Sequence, residues 1–128
     1  MEGKGLVYDY GIIVCAMRMF LANFSPYYTK FCALHCDEGM ERIYELASIA
    51  VCHTALRAKK EFALPIVGID IAGAEAGFPA KTHKETFRIA HKNFMFKTCH
   101  SGEDWGPESI FQAITDLHVE RIGHGYNI

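Results

Sequence analysis

Six consecutive apolar residues, Ile12-Ile13-Val14-Cys15-Ala16-Met17, open the patterned part of the chain. A continuous run rich in β-branched residues predicts a strand buried on both faces, as in a parallel sheet. A mixed stretch from Phe20 to Gly39 follows, with Ser25-Pro26 marking a turn. From about Met40 to Lys60 the spacing becomes helical, with Ile43, Leu46, Ala47, Ala50 and Thr54 on one face. Pro65 ends that helix and leads into a second strand, Ile66 to Ile71. Gly73 to Pro79 is a loop of mostly small residues. Thr82 and Glu85 then have the spacing of a capping box for a helix near His83 to Asn93. A short strand, Phe96 to Cys99, comes next, and a loop from His100 to Gly106 follows it. Pro107 suits the first position of another helix, whose Ile110, Phe111, Ile114 and Leu117 are expected to face inward. Arg121 to Tyr126 reads as a last strand and its exit.

The order is β-α-β-α-β-α-β. Strands alternating with crossover helices predict an α/β fold, a parallel sheet flanked by helices. About four strands cannot close a (β/α)8 barrel, which takes eight strands and typically ~250 residues. A partial barrel and an open four-stranded sheet both satisfy this order. Residues 1–128 read as a single domain, with no internal repeat, low-complexity segment or linker.

Composition changes this picture little. Half of the residues are hydrophobic and 22% are charged, enough apolar surface for a core. A net charge of −2 gives no general attraction to nucleic acid or to an anionic membrane. The densest basic run, Arg57, Lys59 and Lys60, fits a solvated helix end. The Gly11–Met17 stretch is too short to span a bilayer. Five cysteines at irregular spacing read as reduced thiols of an intracellular, cytoplasmic protein.

The informative polar residues sit at strand ends. Asp70 interrupts an apolar strand near its C-terminal end. His100 and Glu103 follow the third strand, and His124 lies between two glycines at the end of the fourth. In parallel α/β architectures these ends share one rim, where sites are built. One carboxylate and two imidazoles on such a rim suit metal-assisted hydrolysis: imidazole is a good zinc ligand, and a nearby Glu can shuttle a proton. Spacing alone leaves simpler roles open. A single His at a strand end is more often a hydrogen-bonded structural residue, Glu103 could support the following helix N-terminus, and Asp70 could be a satisfied buried acid.

Three motifs narrow the choice. Ile69-Asp70-Ile71-Ala72-Gly73-Ala74-Glu75 resembles the strand and Ala-Gly substrate loop of the adenosine deaminase family, which belongs to the metal-dependent amidohydrolase barrels. Thr98-Cys99-His100-Ser101-Gly102-Glu103 resembles its His-Ala-Gly-Glu signature, and Arg121-Ile122-Gly123-His124-Gly125 its Arg-(Ile/Leu)-Gly-His-Gly signature. The motifs come in the family's order, and the likeness runs from about Tyr8 onward. The resemblance implies a partial barrel, a Zn2+ cofactor and a purine nucleoside substrate. It also implies His100 as a zinc ligand and Glu103 as the acid that protonates a purine ring nitrogen. His124 would orient or deprotonate the attacking water, and Gly73 would meet the nucleoside through its backbone. The implied reaction is hydroxide attack at C6 of adenosine and loss of ammonia, leaving inosine. Adenine or another aminopurine is the alternative substrate.

The chain departs from the family in three places. It contains no His-x-His and no Asp-Asp, the motifs that carry the family's other zinc ligands, and Ser101 stands where alanine is usual. A catalytic zinc takes about three protein ligands. The chain therefore resembles the central-to-C-terminal part of a longer barrel and is expected to be inactive alone. A truncated interaction module that self-associates through exposed barrel edges is the non-catalytic alternative. A rival metal site at Cys32, His35 and Cys36 has no partner ligand set at matching spacing, and the Pro-Cys-x-x-Cys pattern of the other zinc deaminases is absent.

Overall fold

The computed structural model describes residues 5–128. Strands β1 (Ile12–Met17), β2 (Ile66–Ala72), β3 (Phe96–Ser101) and β4 (Arg121–His124) form one sheet in sequential order. Every neighbouring pair is parallel. Helices α1 (Pro26–Leu34) and α2 (Met40–Phe62) connect β1 to β2. A 3-10 turn (Ala80–His83) and α3 (Lys84–Lys92) connect β2 to β3, and α4 (Pro107–Thr115) connects β3 to β4. The predicted alternation is therefore the observed one. Among the described residues, no helix is long and apolar enough to cross a membrane.

One face of the sheet carries the core. Ile66, Ile69, Ile71 and Cys99 from the strands pack with Cys52 and Ala55 of α2, Phe87 and Ala90 of α3, and Ala113 and Leu117 at α4 and its exit. A second, smaller cluster joins Phe20, Ile43 and Ala47 to Tyr28 and Phe31, with the Phe20 and Tyr28 rings stacked 4.1 Å apart.

The opposite face is open, and here the expectation of a β1 buried on both sides fails. Burial alternates along β1, leaving Ile13 and Cys15 exposed and Ala16 inaccessible. Val67 and Phe96 are exposed as well. The helices cover only one side of a parallel sheet, and no described element lies over the other.

Local departures have local causes. Ser25-Pro26 begins a helix instead of a simple turn: the Ser25 hydroxyl accepts from the Tyr28 amide, and proline occupies the first helical turn. The predicted Thr82–Glu85 capping box does not form. Thr82 lies inside a 3-10 turn and donates its hydroxyl to Glu41, while Glu85 pairs with Arg88. On α2, Ile43 and Ala47 are buried as expected, but Ser48, Cys52 and Ala55 complete the inner face and Thr54 is exposed. On α4, Phe111 and Ile114 are exposed, and Ser109, Gln112 and Ala113 face inward. Two polar side chains displace the aromatic there because each has a hydrogen-bond partner: Ser109 bonds the buried Glu75, and Gln112 accepts from the Lys81 amide.

Candidate active site

The C-terminal ends of β2, β3 and β4 bring the singled-out residues onto one rim. β3 runs two residues further than expected, so His100 lies on the strand instead of in the loop. It pairs in register with Gly123, and Ser101 with His124. The two imidazole rings come to 5.1 Å between centroids, with planes at 70°.

Each imidazole has a carboxylate. His100 Nε2 lies 2.9 Å from Asp70 Oδ2, and His124 Nε2 lies 3.1 Å from Glu103 Oε2. Asp70 is the residue that sequence reasoning left off the site. Its other oxygen accepts from the Thr98 hydroxyl at 2.9 Å and from the Ile71 amide at 2.8 Å, so its direction is set by its own sheet. The available signal was an acid within an apolar strand, two residues before the strand end. Gly73, at φ 104°, lines a shallow hollow together with Ala74, Glu75, Glu103 and Asp104. Gly73, His100, Glu103 and His124 thus share one rim.

The backbone around these groups is specialised. Gly102 has φ 74°, a conformation that strains any side chain, and a Cβ there would also crowd the Gly125 Cα at 3.3 Å. His124 itself adopts φ 67°, a left-handed conformation uncommon for non-glycine residues. Two backbone hydrogen bonds follow it: the Gly125 amide donates to the Ser101 carbonyl at 2.9 Å, and the Asn127 amide to the Gly102 carbonyl at 3.0 Å.

Beneath the rim are two buried charged groups. The Arg18 guanidinium, 1% exposed, donates to the carbonyls of Phe78 and His100, each at 2.8 Å, and to the Ser101 hydroxyl at 3.3 Å. Its Nε has no partner among the described residues. Glu75, 4% exposed, accepts from the amides of Gly102, Glu103 and Asp104 and from the Ser109 hydroxyl. Burial alone would raise the Glu75 carboxyl. The hydrogen bonds from Ser109 and from the Asp104, Gly102 and Glu103 amides together outweigh it and hold the group below its ordinary value. The Ser101 hydroxyl faces this buried network and not the His100 ring, because successive side chains on a strand alternate.

Three of the thiols are held away from reactivity. Burial raises the Cys99, Cys15 and Cys52 thiols, the last to about 11, so none is a ready thiolate at neutral pH. All five cysteines are free.

A family model for adenosine deaminase matches residues 40–128. This chain belongs to the adenosine deaminase family. Among members of that family, the adenosine deaminase of Pseudoalteromonas translucida is 42% identical over 77 residues, covering 60% of this chain and 23% of the relative. That of Clostridium kluyveri is 44% identical over 68 residues, covering 53% of this chain and 20% of the relative. The matched stretches thus span less than a quarter of these relatives' length. In solved structures, the chain is similar to an adenine deaminase from Arthrobacter aurescens at 30% identity and TM-score 0.53, covering 60% of this chain and 24% of that one. It is similar in fold to an amidohydrolase with bound zinc from Burkholderia ambifaria. There the TM-score is 0.63 at 22% identity, covering 92% of this chain and 26% of that one. The four parallel strands and their helices thus have the fold of a section of a β/α barrel.

Proposed function

We propose that this adenosine deaminase family chain carries part of the active site of a zinc-dependent hydrolase that converts adenosine and water to inosine and ammonia. The observation that carries this reading is the pairing of two imidazoles with two carboxylates on one rim, the rings 5.1 Å apart. In this reading Glu103, in its protonated form, donates to a purine ring nitrogen while C6 is attacked. His124, 3.1 Å from Glu103, orients the attacking water and takes its proton. The Gly73 backbone meets the nucleoside, and His100 is the chain's metal donor.

The donor set meets the needs of zinc only in part. His100 and Asp70 are engaged with each other, and no cluster of three possible ligands occurs among the described residues. A catalytic zinc takes about three protein ligands and would supply Lewis acidity that makes hydroxide available near neutral pH. The remaining donors must therefore come from outside these residues, and the isolated 128-residue chain is expected to be inactive.

Adenosine is preferred over adenine because the curated relatives at 42% and 44% identity are adenosine deaminases, whereas the adenine deaminase neighbour is 30% identical. The free thiols support a reducing compartment such as the cytoplasm. Exposed apolar residues on the open sheet face favour self-association as a second property of the isolated chain.

The test is a chimaera in which residues 40–128 replace the matching segment of the Pseudoalteromonas translucida enzyme. It should convert adenosine in preference to adenine, and Glu103→Gln should lower kcat about 10²–10⁴-fold. A folded, zinc-loaded chimaera that leaves adenosine untouched would sink the reading; steady turnover by the isolated chain would overturn only the expectation that it is inactive alone.

A further inference from the structure

We propose that Glu75 is the positioning residue of this rim: it holds the loop 102–104, and with it the Glu103 carboxylate, in place beside His124. Four donors converge on this one side chain. Oε1 accepts from the Gly102 amide at 2.6 Å and from the Ser109 hydroxyl. Oε2 accepts from the Glu103 amide at 3.0 Å and from the Asp104 amide at 2.7 Å. Three consecutive amides thus share one carboxylate, just beyond the end of β3 at Ser101, where the strand ladder can no longer hold them.

A buried carboxylate without partners is costly, so its place here requires this set of donors. The loop in turn has few other anchors. Its Gly102 and Glu103 carbonyls are met by Asn127, from the far side of β4. Glu75 therefore supplies the acceptors, Asn127 the donors, and α4 is joined to the same point through Ser109. A Glu103 carboxylate that is 56% exposed lacks a packed environment to fix its direction, so its backbone must do so. Misplacement by about 1 Å is enough to cost two orders of magnitude in rate. The catalytic meaning of the clamp rests on reading Glu103 as the acid. The clamp itself does not.

The test is amide hydrogen exchange by NMR on the full 128-residue chain, with no substrate or metal required. Gln at position 75 keeps the size but presents an N–H₂ group on one side, so at least one backbone amide loses its acceptor whichever way it lies. In Glu75→Gln, exchange at Gly102, Glu103 and Asp104 should accelerate at least about tenfold, with Ile69 and Cys99 within about twofold of wild type. The NOE between the Glu103 side chain and the His124 ring should vanish. Ser109→Ala removes a donor and keeps the acceptor, so the three amides should stay slow. Unchanged exchange at 102–104 in Glu75→Gln, a persisting NOE, or equal acceleration in Ser109→Ala would each overturn the proposal. Should Glu75→Gln fail to fold, the wild type decides: the three amides must exchange at least about a hundredfold more slowly than the exposed Val7 amide, and fast exchange there overturns the clamp. An inactive chimaera with protected loop amides would refute the deaminase reading and leave the clamp standing.

Discussion

The two faces of the sheet are made from the same strands and live in different surroundings. On the covered face Ala16, Ile69, Ile71 and Cys99 are fully buried beneath α2, α3 and α4. On the open face Ile13, Val67 and Phe96 are exposed, and Asp70, Thr98 and His100 run up to the rim among them. Parallel strands in β/α barrels are apolar on both sides because one side meets helices and the other meets the barrel interior. Here the residues suited to an interior are present without the strands opposite them. Burial energy therefore resides almost wholly on one face, while the candidate site lies at the edge of the other.

Substitutions should reveal this imbalance. The largest effect belongs to Phe87→Ala beneath the sheet, where Phe87 is 1% exposed. Loss of an aromatic ring from such a core costs about 3–5 kcal/mol, read from denaturant unfolding. A loss below about 1 kcal/mol would mean that the covered face is not the main source of stability.

A pH effect comes next. His83 is inaccessible, its ring nitrogens 2.9 Å from the Ser48 hydroxyl and 3.3 Å from the Arg18 carbonyl. Burial pushes it down to about 4 from an ordinary 6.5, with the nearby Arg18 charge adding to the fall. Between those values the unfolded chain binds the proton and the folded chain does not. Stability is therefore full above pH 6.5 and falls as the pH drops toward 4, by about 2 kcal/mol between pH 7 and pH 5. His83→Gln should flatten that slope; an unchanged slope would assign it to other groups.

The β3–β4 junction should respond less. Lys97 is 2% exposed and its ammonium lies 2.6 Å from Glu120, which also accepts from the Lys97 amide. Burial alone would raise the Glu120 carboxyl, but the bonds from Lys97 hold it below its ordinary 4.5. The pair therefore stabilises above about pH 4.5 and fades as the carboxyl protonates below it. Because Glu120 is 46% exposed, solvent screens the pair, and Glu120→Gln should cost only about 1 kcal/mol at pH 7. At pH 3 mutant and wild type should unfold at nearly the same denaturant concentration.

The smallest change in stability is expected on the open face. Phe96→Ser, at a position 66% exposed, should alter unfolding by no more than about 0.5 kcal/mol. It should also reduce self-association in sedimentation equilibrium. A loss rivalling that of Phe87→Ala would erase the contrast between the faces.

Much of this was legible along the chain. Periodicity located the four strands and the long α2, because runs of β-branched residues and a 3.6-residue apolar repeat are local signals. His100, Glu103 and His124 stood out because each lies at or just beyond the C-terminal end of a strand, beside a glycine-containing turn. Less legible were the residues whose meaning depends on a partner distant in sequence. Asp70 reads as a buried acid until His100, from the next strand, is placed 2.9 Å away. Glu75 reads as a loop carboxylate until three amides and a serine close around it. Phe111 reads as core until Ser109 and Gln112 find hydrogen-bond partners and turn the helix.

By itself, then, the sequence determined the order of elements, the parallel sheet and the rim on which the polar residues gather. Those follow from periodicity, crossover handedness and the geometry of strand ends. Only the tertiary structure decided which carboxylate meets which imidazole, what holds the loop carrying Glu103, and that one sheet face lies open. Each depends on a side chain's position to within about an ångström across segments dozens of residues apart, which no pattern along the chain encodes.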